Sequence, residues 1–171
     1  MPASSDTIEL ITTKEIGLFL HLIRELADDF GDRFLLSMLH WCGFGSRRAP
    51  LEFWQVFLIR TGEEIVGVSG LYRRPESPTH LCWLGWFAIR PKFRRKGFGS
   101  AAIHGLVDRA RTIGCNELWV YTGASDKAAR HFYTKLGFEV PGSACSCAPG
   151  QTMDDSDIVL KLRLDVSKTE L

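Results

Sequence analysis

Between residues 90 and 102 the chain reads Arg90-Pro91-Lys92-Phe93-Arg94-Arg95-Lys96-Gly97-Phe98-Gly99-Ser100-Ala101-Ala102, a basic, glycine-bearing loop between an apolar run and a helix-like segment. Glycines carry no Cβ, so backbone N–H groups can turn inward toward an anion. A helix starting here exposes its first unpaired N–H groups, and its macrodipole favours negative charge. Arginine and lysine beside the loop add charge-assisted hydrogen bonds to phosphate oxygens. The chemistry indicated is the binding of a pyrophosphate.

Gly97-Phe98-Gly99-Ser100-Ala101-Ala102 also matches the G-x-G-x-x-G/A dinucleotide fingerprint. Its context argues against that reading. The fingerprint opens directly off a strand, whereas here the basic stretch from Arg90 to Lys96 intervenes, and Glu117 falls at the beginning of the next strand rather than its end. A P-loop is excluded because no G-K-[ST] follows at the required spacing. Cys145-Ser146-Cys147 lacks a second Cys or His pair at zinc spacing, so no metal site is expected.

Arg94-x-x-Gly97-x-Gly99 after an apolar strand resembles the R/Q-x-x-G-x-G/A acyl-CoA motif of the GNAT (GCN5-related) N-acetyltransferase superfamily. One helix and one strand later comes Asp126-x-x-Ala129-x-x-Phe132-Tyr133-x-Lys135-x-Gly137-Phe138, which is similar to that family's N-x-x-A-x-x-F-Y-x-x-x-G-F signature. The resemblance runs from about Ile8 to Leu164 and implies an α/β (α+β) fold. Its central sheet would be mixed, mostly antiparallel, splayed at its middle and flanked by helices. The pantetheine arm of acetyl-CoA, the expected co-substrate, would lie in the gap. By the same resemblance, the main chain of Phe87, Ala88 and Ile89 would meet the pantetheine or thioester. Backbone N–H groups from Arg95 through Lys96, Gly97, Phe98 and Gly99 to Ser100 would cradle the pyrophosphate. Side chains of Arg94, Arg95 and Lys96 are the less defined phosphate ligands, and Asp126 and Ala129 fall at cofactor-binding positions.

Acetyl transfer from a thioester to an amine needs a neutral nucleophile, a site for the developing oxyanion and a proton for the departing thiolate. A lysine-like amine has a pKa of about 10.4, so a base or a water relay must deprotonate it near neutrality. A backbone N–H near Phe87 or Ala88 would polarise the carbonyl. Tyr133 resembles the family's general acid, since a phenol of pKa about 10 stays protonated at neutral pH. Asp126 replaces the family's asparagine: it can cap a helix but cannot donate the hydrogen bond an amide gives. The base is not evident. No acid lies between Trp83 and Ile89, leaving Glu52, His80, Glu117 or a water relay. Cys82 reads as a small buried residue, not a nucleophile.

Around these residues the pattern predicts their supports. Ile8 to Ile11 is a short apolar segment, followed by a helix carrying Ile16, Leu20, Ile23 and Ala27 and a second over Arg33 to Trp41. Phe53 to Ile59 and Ile65 to Tyr72 read as strands around a hairpin turn at Thr61-Gly62-Glu63-Glu64. Leu81 to Ile89, apolar throughout, suits a central strand covered on both faces. Ile103, Leu106, Val107 and Ala110 line a helix ending at Gly114, and Leu118 to Tyr121 is a strand. Asp126 caps a helix with Ala129, Phe132, Tyr133 and Leu136 on one face, and Ile158 to Leu164 is the last strand. Pro141 to Asp155 reads as a loop on the substrate side.

With 171 residues, 45% apolar and 24% charged, the sequence fits one globular domain over residues 1–171. A formal net charge of +1 argues against bulk attraction to nucleic acid or anionic membrane, leaving only the loop strongly basic. Five scattered cysteines argue for a reducing compartment. No signal peptide or apolar run of about 20 residues is present, so a cytoplasmic protein without a membrane partner is expected. The reading is an acetyl-CoA-dependent N-acetyltransferase acting on a primary amine by direct attack, with a homodimer compatible. The resemblance implies that the N-terminal helices and the late loop set substrate specificity, where this sequence offers Asp28, Asp29, Asp32, Trp41, Trp54 and the Asp154–Asp157 cluster, acids that suit a cationic amine. The alternatives are a noncatalytic acyl-CoA-binding regulatory module and an acyltransferase acting on a protein or a charged tRNA.

Overall fold

The computed structural model describes residues 8–12, 22, 25–26, 53–74, 77–142 and 157–164. Six strands form one sheet in chain order: β1 (Ile8–Thr12), β2 (Phe53–Thr61), β3 (Glu64–Arg73), β4 (Leu81–Ile89), β5 (Glu117–Gly123) and β6 (Asp157–Arg163). Among the described residues two helices join the later strands, α1 (Phe98–Thr112) between β4 and β5 and α2 (Lys127–Lys135) between β5 and β6. Every strand pair is antiparallel except β4–β5, which is parallel because α1 carries the chain back across the sheet. The expected mixed, mostly antiparallel sheet is therefore present.

Turn chemistry accounts for the connections. Gly62, at φ +55°, sits in the tight β2–β3 turn, while Gly114 at +81° and Gly137 at +91° follow the ends of α1 and α2 in the left-handed conformation that commonly closes helices. The strands at these places match or slightly exceed the segments expected from the sequence. The helices expected around Ile16 to Ala27 and Arg33 to Trp41, and most of the Pro141 to Asp155 loop, lie outside the described residues, apart from helical Leu22, Glu25 and Leu26.

Side-chain alternation divides the core between the two faces of the sheet. Cys82 and Leu84 of β4, Leu118 and Val120 of β5 and Leu160 of β6 join the apolar stripes of α1 (Ile103, Leu106, Val107, Ala110) and α2 (Tyr133). On the other face, Leu22 and Leu26 pack over Val56, Leu58, Val68 and Ala88. Beside them lies an aromatic group built on Tyr72, Trp83 and Trp119, with Trp86 and Tyr121 packed against it. No described helix is long and apolar enough to cross a membrane.

Two irregularities in β4 shape the middle of the sheet. Its parallel pairing with β5 runs only from Leu81↔Glu117 to Leu84↔Val120, although both strands continue, so their later halves separate into a fork. On its other edge, Gly70↔Gly85 is followed by Val68↔Ala88, so Ser69 of β3 faces both Trp86 and Phe87. This β-bulge puts Trp86 at φ +52°, an outlier for a bulky residue. It also inverts the alternation: Cys82 and Leu84 face the helices before it, Phe87 after it.

Candidate active site

The phosphate-type loop leaves directly from the outer end of β4. Pro91–Phe93 form one 3-10 turn, and Arg95, at φ +62°, and Gly97, at φ +90°, swing the chain into α1. Phe93 and Phe98 anchor the two sides of the loop by packing edge to face at 5.9 Å in a buried cluster with Ile59, Val66, Ile89 and Ala102. What lies between them is exposed: Arg94, Arg95, Lys96 and Gly97.

Gly97 caps α1 without any side-chain hydrogen bond, and the first intrahelical bond runs from the Ala101 N–H to the Gly97 carbonyl at 3.1 Å. Among the described residues, the backbone N–H groups of Arg95 through Ser100 donate to no carbonyl. A Cβ at Gly97 would meet nothing within 4 Å, so the concavity is open on that side. A ring of unpaired donors at the start of a fifteen-residue helix suits a diphosphate. Gly99 has a different role: a Cβ there would lie 3.4 Å from the Phe132 ring, so the glycine lets α1 approach α2.

The basic side chains divide by function. Arg94 Nε donates to the Ile89 carbonyl at 2.8 Å, tying the loop to the end of β4. Arg90 grips Glu25 Oε2 through Nε and Nη2 at 2.9 and 2.7 Å and donates from Nη1 to the Ile65 carbonyl at 2.8 Å, so it is structural. Lys92 pairs with Glu64 at 3.1 Å and lies over the Phe93 ring. Lys96 Nζ lies 5.8 Å from that ring, and Arg95 is exposed beside it.

Phe87, Ala88 and Ile89 form the arm of the fork that leads to this loop, and among the described residues the β5-facing edge from Gly85 onward has no strand partner. Phe87 stacks on Phe132 at 5.9 Å and nearly parallel, connecting the bulge to α2, while Ala88 and Ile89 are buried. Tyr133, the next residue on α2, sits edge to face between Phe132 and Phe138, 5.3 Å from each. It shares a buried cluster with Leu84 and Val120, the last paired residues before the fork opens. Burial, reinforced by the Asp126 carboxylate, pushes its phenol above the ordinary tyrosine range. Asp126 itself caps α2, with Oδ1 accepting from the Ala129 N–H at 2.9 Å, so both residues are engaged in starting that helix.

Among the base candidates, His80 is exposed and Glu117 accepts a hydrogen bond from Trp119 Nε1 at 2.9 Å, both at the closed end of the fork. Glu52 is outside the described residues. Cys82 is fully buried, and its hydrogen bond to Cys115 together with burial pushes its thiol up, which disfavours nucleophilic use.

The aromatic group on the opposite face escaped the sequence reading. Trp83 stacks on Tyr121 at 4.4 Å with a 4° interplanar angle and meets Trp119 edge to face at 5.5 Å, and Tyr72 lies 5.6 Å from Trp86. The Arg74 guanidinium lies 6.0, 5.9 and 6.0 Å from the rings of Tyr72, Trp83 and Tyr121. The only signal in the sequence is alternation, Trp119-x-Tyr121 on one strand and Trp83 on another, which register alone brings together.

Residues 19–138 match the acetyltransferase (GNAT) family model. An uncharacterised N-acetyltransferase of Bacillus subtilis (strain 168), YycN, is 29% identical over 77 residues, 45% of this chain and 49% of the relative. The chain thus spans about half the length of the curated relatives it matches first. A GNAT family acetyltransferase from Elizabethkingia anophelis, solved with acetyl-CoA bound, superposes with a TM-score of 0.60 at 19% identity, covering 94% of this chain and 100% of that one. The ribosomal-protein-S18-alanine N-acetyltransferase of Escherichia coli superposes at 0.61 with 20% identity, over 96% and 97% of the two chains. With the forked sheet and the open loop N–H groups already established, the match over most of its length places this chain in the GNAT acetyltransferase family.

Proposed function

We propose that the protein transfers the acetyl group of acetyl-CoA to a primary amine by direct attack. The observation that carries this reading is the continuity of two features: the unpaired edge of β4 runs without interruption into the loop whose N–H groups are open. A pyrophosphate bound by Arg95 to Ser100 extends its pantetheine arm along Ile89, Ala88 and Phe87 into the fork. The thioester then lies beside the bulge, where the main-chain N–H of Phe87 polarises its carbonyl, since the register turns the Ala88 N–H toward Val68 of β3.

The amine nitrogen forms a bond to the acetyl carbon as the carbon–sulfur bond breaks. One proton leaves the nitrogen, by water in the absence of a carboxylate on β4, and one reaches the sulfur from Tyr133. The E. anophelis structure with acetyl-CoA bound supports acetyl-CoA as the acyl donor. A single domain working in the cytoplasm belongs to the same reading.

Thermal unfolding with acetyl-CoA, CoA and NAD in parallel tests it. A ligand at about a hundred times its Kd stabilises by roughly 2.7 kcal/mol. Both CoA species should raise Tm and NAD should not, and amines should then release free thiol from acetyl-CoA. Stabilisation without thiol release from any amine would favour a noncatalytic acyl-CoA-binding module. A cooperative melt unmoved by either CoA species would remove the cofactor site.

A further inference from the structure

Trp86 occupies a backbone position that ordinarily belongs to glycine. It is the first of the two β4 residues that face Ser69, its φ is +52°, and a bulge whose first residue turns left-handed usually carries glycine there. Glycines are at hand, since Gly85 precedes Trp86 and pairs with Gly70 of β3, yet neither takes the bulge itself. A backbone conformation this unfavourable persists only where the surrounding structure enforces it.

The enforcement comes from the ring. A Cβ on Gly70 would stand 2.6 Å from the Trp86 ring and one on Gly85 3.0 Å from the Tyr72 ring, so each ring crosses to bare backbone of the opposite strand. The two rings meet at 5.6 Å. Trp86 also packs against both core clusters on its side of the sheet, the one containing Leu22 and Leu26 and the one built on Tyr72, Trp83 and Trp119. Phe87 is anchored in the same way on the helix side, packed against both clusters there and stacked on Phe132 at 5.9 Å.

The side chain also has an effect that glycine could not reproduce. At a φ of this sign a residue with a Cβ has one narrow allowed range of ψ, whereas glycine also reaches the mirror image of the extended region. The ψ angle of Trp86 sets the plane of the peptide group that ends in the Phe87 N–H. With tryptophan that plane has one orientation; with glycine it could turn over. We infer that Trp86 is a positioning residue for acetyl transfer: its ring on Gly70 holds the bulge, its Cβ excludes the turned-over peptide, and the Phe87 N–H is thereby fixed toward the thioester carbonyl. The inference rests on the acetyl-transfer reading and adds what aims its oxyanion donor, a group that is effective only when preorganised.

The test reads the donor without needing the acceptor. Acetyl-CoA isotope-labelled at the carbonyl carbon gives an infrared C=O band that falls in frequency when a hydrogen bond polarises the carbonyl. Binding to the wild-type protein should lower the band. Trp86→Gly should return it most of the way to its position in free acetyl-CoA while acetyl-CoA still raises Tm, and Trp86→Phe, which keeps a ring and a Cβ, should retain the lowered band. Gly70→Ala, which displaces the ring from the other strand, should act in the same direction as Trp86→Gly, and adding it to Trp86→Gly should change nothing further. A band as low in Trp86→Gly as in wild type would overturn the inference; should that variant fail to fold, the same result in Gly70→Ala would do so. Loss of acetyl-CoA binding by variants that still melt cooperatively would overturn it too, since Trp86 would then merely support the cleft. An unshifted band in the wild-type complex would remove the Phe87 polarisation together with its positioning, whereas failure of the wild type to bind acetyl-CoA at all would count against the acetyl-transfer reading itself.

Discussion

Tyr133 packs its ring against Phe132 and Phe138 in the cluster with the apolar stripe of α1, and there the neutral phenol is favoured over the phenolate twice, by burial and by the Asp126 carboxylate. A phenol in that setting keeps its proton throughout the neutral range, as donation to a departing thiolate requires. Tyr133→Phe should therefore lower kcat by about a hundredfold, the low end of acid–base contributions, with acetyl-CoA affinity unchanged. Unaltered kcat across the pH range would remove Tyr133 from the chemistry. The same shift has a stability consequence. A folded-state pKa above the unfolded value of about 10 leaves stability intact below that pH and erodes it as pH rises further, because the unfolded chain ionises first. Urea titrations should find wild type losing stability above about pH 10 more steeply than Tyr133→Phe. Gly97 offers a cleaner probe of the phosphate site. Asparagine and aspartate both tolerate a left-handed backbone and nearly match in shape, so they separate charge from strain. Gly97→Asp should bind acetyl-CoA at least about tenfold more weakly than Gly97→Asn, with the gap narrowing in high salt. Equal affinities would move the pyrophosphate elsewhere.

At the scale of the element, β4 decides the site, and β4 was the element whose sequence concealed most. Its limits, Leu81 to Ile89, were legible because the run is apolar from end to end. That uniformity hid the bulge: where every residue is apolar, a change of alternation between Leu84 and Phe87 leaves no mark. The loop that follows was legible for the opposite reason, since glycines and bases are unusual where a strand meets a helix. The caps at Gly97 and Asp126 were visible as residue types, whereas Arg94 turning back onto Ile89 is a property of the folded loop alone. The glycine pair beneath the aromatics gives this scale its prediction. Gly70→Ala forces a methyl group into the Trp86 ring, which cannot retreat without losing Tyr72 and the bulge. Overpacking of this kind costs about 1–3 kcal/mol. Denaturant unfolding should register that loss, and an unchanged midpoint would show that the Trp86 ring moves aside at no cost.

Across the whole molecule, Arg90 joins parts that are remote in sequence. It is the first residue beyond β4, it grips Glu25 from the helical residues packed on β2, β3 and β4, it holds the Ile65 carbonyl at the start of β3, and its guanidinium lies 5.7 Å from the Phe93 ring inside the loop. Nothing in the sequence marked this role, because a contact across 65 residues has no local signature. Glu25 and Arg90 are each partly buried, and hydrogen bonds between charged groups in such settings contribute about 1.5–3 kcal/mol. Glu25→Gln keeps the shape and removes the charge, so stability should fall by about 1–2 kcal/mol. The loop should also lose its fixed position relative to β4. If that tether positions the phosphate donors, KM for acetyl-CoA should rise with kcat nearly unchanged, and Arg90→Lys, which keeps the charge but not the two-pronged grip, should show the same pattern. Combining the two substitutions should then cost less than the sum of the singles, since both break one interaction. Strict additivity in the double-mutant cycle would mean that Glu25 and Arg90 act separately, and that the loop is held in place by Phe93, Phe98 and Arg94 alone.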